Sequence, residues 1–384
     1  MKFSRWVVFT FVIHIFVIAI DKGAGLILFK ILEDQPDVKG AADLLTILPF
    51  IMMAIANLGL ATSLVYYVRR KVFGLTEVAE TCSLVAFVWG SVVAVLAIVA
   101  SQTIGPIIEP SWEWSLNYVI PISLCVPFLL TTSYFNSLQL AVGQIRNYNL
   151  IHLFSSGLFL PMFLLFYWLL PADEVPVSIA MARLVTAVAM SVLTVWMLRH
   201  LVIWRPRMHW TFFKAGVSYG WKANLTSVLT YLNHRIDLFV VVVLFVPGAV
   251  VFAEGGARGV AEAQLAQAAF YSLAVTFAEF VWHFPEATRD LFFSKVAGSN
   301  DKEAARFTPI LCRLSLVASL LGGIAIYFLV DPLMSLLSPN AWEERWQETV
   351  LASLLVLLPG TVGFTVAKIL QNDLAARGHI DRCL

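Results

Sequence analysis

The chain has 384 residues, 59% hydrophobic and 13% charged, with a mean hydropathy of +0.81. A soluble domain carries about a quarter charged residues, so this balance excludes a soluble globular protein and points to a polytopic membrane protein. A formal net charge of +1 gives no electrostatic reason to bind nucleic acid, and Cys82, Cys125, Cys312 and Cys383 are too scattered for a disulfide framework or a metal site.

Hydropathy places about ten transmembrane helices, near 6–30, 42–68, 77–101, 115–140, 148–170, 175–200, 215–247, 264–293, 306–330 and 347–374. The fold class is therefore all-α, without a separate soluble domain. Lys2 and Arg5 precede the first apolar run, and no small-x-small cleavage site follows, so it reads as an uncleaved helix. In that helix Asp21 and Lys22, with Gly23 and Gly25, mark either a charged, flexible gate or its outer end. Loops holding Arg69-Arg70-Lys71, Arg199 to Lys214 and Lys295 to Arg306 carry most of the cations, while the alternate loops hold only Lys30, Lys39, Arg258 and Arg345. The positive-inside rule then puts both termini in the cytoplasm.

In the sixth helix Arg183 has few sequence neighbours to neutralise it and reads as the wall of a polar cavity. His14 and His152 read as structural histidines. Trp112, Trp114, Trp204, Trp210, Trp342 and Trp346 cluster at predicted helix ends as interfacial anchors.

The seventh helix carries the densest charge: Lys222, His234, Arg235 and Asp237 within an apolar-looking run. Each Lys, Arg or Asp at a helix centre costs about 2.5–3.5 kcal/mol in a membrane, so the segment needs a wet cavity or buried partners. At 100° per residue, Lys222, Thr226, Thr230, Asn233 and Asp237 share a stripe, and Asn224 and Arg235 lie further round. The alternative is that Arg235 and Asp237 neutralise neighbouring helices while residues 213–232 lie along the cytoplasmic surface.

In the eighth helix Glu279, His283, Glu286 and Asp290 fall on one face, beside a kink at Pro285. Buried carboxylates with a histidine exchange protons or bind cations, which suits ion coupling; solvated or locally paired carboxylates are the plainer reading. Lys368 and Asp373 in the tenth helix are close enough to pair with each other. Ala61-Thr62 at the end of the second helix recurs as Ala287-Thr288 in the eighth, and Gly143 after the fourth as Gly378 after the tenth. This pairing is that of a six-plus-six repeat.

Leu232-Asn233-His234-Arg235-Ile236-Asp237, followed by Tyr271-Ser272-Leu273-Ala274, resembles the start of the second half of the polysaccharide-transporter family. That family comprises O-antigen and lipid-linked oligosaccharide flippases of the superfamily that also holds multidrug and toxin extruders. Asn57-Leu58-Gly59-Leu60, Gly143 to Asn149, and Leu358-Pro359-Gly360 with Lys368 sit where the family has similar words. The resemblance implies a two-lobed transporter, with an N-terminal lobe over 1–205 and a C-terminal lobe over 206–384. It implies a polyprenyl-diphosphate-linked oligosaccharide as cargo in the bacterial inner membrane, the lipid bilayer and other polysaccharide assembly proteins as partners, and no cofactor. Arg183, Lys222, Asn224, Asn233 and Arg235 are then the expected substrate residues, since guanidinium forks suit phosphate; Asp237, Glu279 and His283 are the expected coupling residues.

Two departures bear on this. The segment between Phe245 and Gln264 is longer than the family's, and the chain stops at Leu384 where these flippases continue, leaving the second lobe short by about two helices. An inactive truncated flippase is therefore one alternative. A membrane polysaccharide polymerase or ligase is another, although it needs a large external loop and no outer loop here exceeds about twenty residues. A multidrug exporter of the same superfamily is the third.

Overall fold

The computed structural model describes residues 3–103, 115–171, 174–200, 205–244, 263–281, 301–338 and 346–376. These form eleven helices and no strand. They are α1 (Phe3–Leu32), α2 (Pro36–Ala56), α3 (Leu60–Arg69), α4 (Leu75–Thr103), α5 (Leu116–Ala141), α6 (Ile145–Leu169), α7 (Val175–Leu198), α8 (Trp210–Leu244), α9 (263–281), α10 (Asp301–Leu337) and α11 (Gln347–Ala376). Among the described residues, α2, α4, α5, α6, α7, α10 and α11 are the seven helices long and apolar enough to cross a membrane. The 35 residues of α8 extend about 52 Å, well beyond a hydrocarbon layer of about 30 Å.

Eleven helices replace the ten expected because the second is broken. Leu58 (φ 57°) and Gly59 (φ 75°) both adopt the left-handed conformation, which stops α2 at Ala56. Gly59 does so at no steric cost, whereas such a conformation costs a residue like Leu58 about 1–2 kcal/mol. The next helix starts at once: the Leu60 amide donates to Asn57 O (3.2 Å), the Ala61 amide to Asn57 Oδ1 (3.4 Å) and the Ser63 amide to Gly59 O (3.1 Å).

The chain divides into two compact units: residues 12–24 with 41–264, and residues 2–11 and 25–40 with 265–384. α8 falls within the first unit. The cause is a helix crossing. Gly59 and Gly220 meet backbone to backbone, and a Cβ on either would run into the other's carbonyl. One turn earlier, a Cβ on Gly216 would stand 2.9 Å from Leu60 Cδ2. The Gly216-x-x-x-Gly220 spacing is the small-residue stripe that lets apolar helices approach closely.

Around that crossing, α5 is the central helix of the first unit, packed on α3, α4, α6 and α7. Gly90 of α4 abuts Pro127 of α5 so closely that a Cβ would sit 2.7 Å from the proline Cα. Leu60, Leu64, Cys82, Leu130, Tyr134, Phe135, Leu138 and Phe212 form the buried core.

In the second unit α10 packs on α11, and Phe29, Phe277, Val330, Met334 and Leu354 join one core. Trp346 corrects its reading as an interfacial anchor. It is fully buried, with Phe29 and Phe270 edge-on at 4.7 and 4.9 Å and its Nε1 donating to Glu33 O at 3.1 Å. Glu33 also binds Lys30 (2.8 Å) and accepts from Ser338. Trp210 keeps the expected exposure, while Trp112, Trp114, Trp204 and Trp342 lie outside the described residues.

Gly220→Val is expected to lower the thermal midpoint of the purified protein sharply, since overpacking against an immovable backbone costs about 1–3 kcal/mol or more. Gly23→Ala, whose Cβ meets nothing within 4 Å, should leave it unchanged. Equal midpoints for the two variants would remove the crossing as a determinant of the fold.

Candidate functional site

A helix that breaks inside an apolar medium leaves carbonyls without partners, and such breaks are tolerated only where other groups satisfy them. Here two side chains do so, and a third bond ties the break to α5. Trp89 Nε1 of α4 donates to Ala56 O (3.1 Å), Tyr134 Oη of α5 to Asn57 O (2.8 Å), and Asn57 Nδ2 to Ser133 Oγ (3.3 Å). The break is thereby a fixed seam of the first unit.

Arg183 lies on α7, about 12 Å along the helix from Val175. Its guanidinium stands over the Phe159 ring at 3.6 Å and near that of Phe50 at 5.5 Å, so α6 and α2 hold it between two aromatic faces. A desolvated cation–π contact is worth about 2 kcal/mol, and it uses the face of the guanidinium rather than its N–H edges. Polar residues gather along α5, α6 and α7. Asn136 Nδ2 meets His152 Nε2 at 3.1 Å, and Gln139 Nε2 donates to Thr194 O at 3.4 Å. Asn136 Oδ1, Gln139 Oε1 and Thr186 Oγ1 are buried without a hydrogen bond among the described residues. Buried acceptors of this kind are satisfied by a water or another polar group that reaches them. His152, paired with Asn136 and edge-on to Tyr148 at 4.8 Å, has the structural role expected of it.

The other expected substrate residues occupy α8, which packs on α3 and α4 rather than around Arg183. Lys222 is exposed and Asn224 half-buried; the side chains of Asn233 and Arg235 lie outside the described ones. Asp237 is half-buried, and its Oδ1 accepts the Leu238 amide at 2.8 Å. Glu279 is buried on α9 in the second unit, while His283, Glu286 and Asp290 lie outside the described residues. Lys368 stands 5.3 Å from the centre of the Phe364 ring.

Two constellations carried no sequence signal. Glu80 of α4, almost fully buried, meets His209 Nε2 at 2.8 Å, and the His209 amide donates to Thr81 Oγ1 at 3.2 Å, which ties the start of α8 to α4. Tyr66 of α3 stacks on Tyr219 of α8 (4.3 Å between centroids, 20° between planes), and Arg70 covers Tyr66 at 4.4 Å. Partners more than a hundred residues apart leave no local pattern.

No family model matches the chain, and no curated relative does. Solved structures do match in shape. An inward-facing multidrug resistance MATE family transporter of the MOP superfamily superposes with a TM-score of 0.56 at 14% identity, over 96% of this chain and 82% of the other. An outward-facing form of such a transporter gives 0.53 at 14%, over 96% and 83%, and a MATE in the straight conformation gives 0.57 at 15%, over 99% and 83%. The fold is that of the MATE transporters. The chain is accordingly a multi-pass membrane protein with a MATE-like, two-lobed, all-α architecture, as its hydropathy and its resemblance imply.

Within this MATE-like fold the seam between α2 and α3 rests on two side-chain donors that single substitutions remove. Trp89→Phe and Tyr134→Phe each strand one buried carbonyl, at about 1–3 kcal/mol. Both are expected to lower the thermal midpoint in neutral detergent, and the double variant to lower it further. A midpoint indifferent to either change would show that the freed carbonyls find other donors.

Proposed function

We propose that the chain is an alternating-access transporter that moves a polyprenyl-diphosphate-linked oligosaccharide from the cytoplasmic to the outer face of the bacterial inner membrane. The observation that carries this reading is Arg183, a cation held at the Phe159 and Phe50 rings within the first unit, in a fold whose solved examples include inward- and outward-facing forms. A diphosphate with several sugars cannot enter hydrocarbon unless its hydration is replaced. Arg183 supplies charge for that replacement, and Asn136, Gln139 and Thr186 supply acceptors for sugar hydroxyls. The lipid tail stays in the bilayer.

In this reading the N-terminal lobe, 1–205, contributes Arg183, and the C-terminal lobe, 206–384, contributes Lys222, Asn224, Asn233 and Arg235. Asp237, Glu279 and His283 couple the cycle to an ion. Both termini face the cytoplasm, and other polysaccharide assembly proteins deliver and consume the cargo. The chain works as a transporter, without chemistry on the glycan.

A second reading, export of drugs, is favoured by the neighbours, which are multidrug transporters by description. Charge separates the two. An interior cation favours an anionic cargo and opposes a cationic drug by like-charge repulsion.

The deciding measurement is the sidedness of lipid-linked oligosaccharide in cells lacking the gene and in cells given back the 384-residue chain. Cytoplasmic accumulation relieved by the chain is expected, with Arg183→Gln and Arg235→Ala each inserting normally but flipping about tenfold more slowly, the loss of one charge-assisted pair. Normal flipping by Arg183→Gln would remove it from the mechanism. Unchanged sidedness together with extrusion of a cationic dye would establish the drug exporter instead.

A further inference from the structure

The stacked Tyr66, Tyr219 and Arg70 lie outside the interior site, at the end where α3 stops, α4 starts and α8 begins. Cations crowd this end. Arg69, Arg70, Lys71, Arg205, Arg207 and Lys214 are all exposed, while across residues 66–81 and 205–222 the only carboxylates are Glu77, exposed, and Glu80, engaged by His209. Arg69 is spent on the fold, its Nη2 donating to Leu140 O at 2.9 Å to cap α5. Arg70 is not: it covers the Tyr66 ring and acts on the neighbouring Tyr219 hydroxyl, with no hydrogen bond or ion pair among the described residues. A guanidinium is the group suited to a bidentate grip on a phosphate.

Lys71 adds an independent observation. α3 ends in a Schellman turn, with the Val72 amide donating to Tyr67 O and the Lys71 amide to Val68 O, both at 3.1 Å. The residue at the turn has φ 56°, a conformation in which glycine is free of strain and lysine is not. Lysine holds this conformation at a strain glycine would not carry, so replacing it by glycine separates the charge of the side chain from the needs of the backbone.

The surroundings identify the partner's chemistry. On α8, next to the Tyr219 stack, Leu225 and Leu229 fall within roughly 40° of one another. Leu225 and Leu229 are 41% and 48% exposed, and Trp210 and Trp221 expose 59% and 51% nearby. Basic heads, then aromatic rings, then exposed leucines follow the order of headgroup, interface and acyl chain. We infer that Arg70, Lys71 and the Tyr66–Tyr219 stack form a binding site for the phosphate headgroup of an anionic glycerophospholipid of the surrounding bilayer, a lipid that is not cargo. This site is independent of the flippase reading, because it requires only that these helix ends meet a membrane surface.

The test is native mass spectrometry of the full chain in neutral detergent, titrated with phosphatidylglycerol or with phosphatidylcholine of the same acyl chains. The wild type is expected to retain phosphatidylglycerol in at least fivefold preference. Lys71→Gly removes one charge while relieving its backbone, so it should lower phosphatidylglycerol affinity about fivefold with an unchanged or higher thermal midpoint. Arg70→Gln combined with Lys71→Gly should lower it roughly 25-fold, and Tyr66→Leu, which frees Arg70 without removing charge, about two- to fivefold. Equal retention of the two lipids, or wild-type retention by the double variant, would overturn the site. Inorganic pyrophosphate binding as tightly as phosphatidylglycerol would overturn the lipid assignment in favour of a free anion.

Discussion

The first unit depends on one backbone contact, the crossing of Gly59 and Gly220. Lipid offers no hydrophobic drive between helices, so close packing and satisfied polar groups must hold them together. The crossing supplies the closeness. It places α3 against α8 at a separation no side chain would permit, and the rest follows: Phe212 enters the core, Tyr67 Oη reaches Ala215 O at 3.3 Å, and Tyr219 arrives over Tyr66. The left-handed Leu58 and Gly59 turn the chain into that position. Trp89 and Tyr134 then hold the turn by the carbonyls it releases.

Polar chemistry is distributed unevenly around this frame. Arg183 and the buried oxygens of Asn136, Gln139 and Thr186 sit among α2, α5, α6 and α7, while the basic and aromatic residues of α3 and α8 gather at one end. The first set is mostly enclosed, with Arg183 half-buried, and few in number. The second is exposed and abundant, as suits contact with a charged surface. Glu80 and His209 join the two regions mechanically, because they tether the start of α8 to α4, which packs on α5.

The spans were legible because twenty apolar residues in a row have one explanation; Arg183 stood out as a cation in such a row, and nothing near it in sequence announced the Phe159 and Phe50 rings that meet it. The break at Leu58 was not, since neither leucine nor a single glycine announces a left-handed turn. It depends on Gly220, Trp89 and Tyr134, none of them local. Gly216-x-x-x-Gly220 was the one readable trace of the crossing, and it was overshadowed by the charges that follow it. Trp346 shows the converse error: tryptophan near a helix end usually marks an interface, but here Phe29, Phe270 and Glu33 O enclose it from distant parts of the chain.

The length of α8 has a mechanical consequence. A rod of about 52 Å outruns a hydrocarbon layer of about 30 Å, and α8 is not among the seven helices apolar enough to cross one. Because α3 is locked to α8 at a glycine pair, the two move as one lever. The Arg69 cap on α5 and the His209 tether on α4 sit where that lever meets the rest of the unit, so a force on the long helix is borne by a few polar contacts.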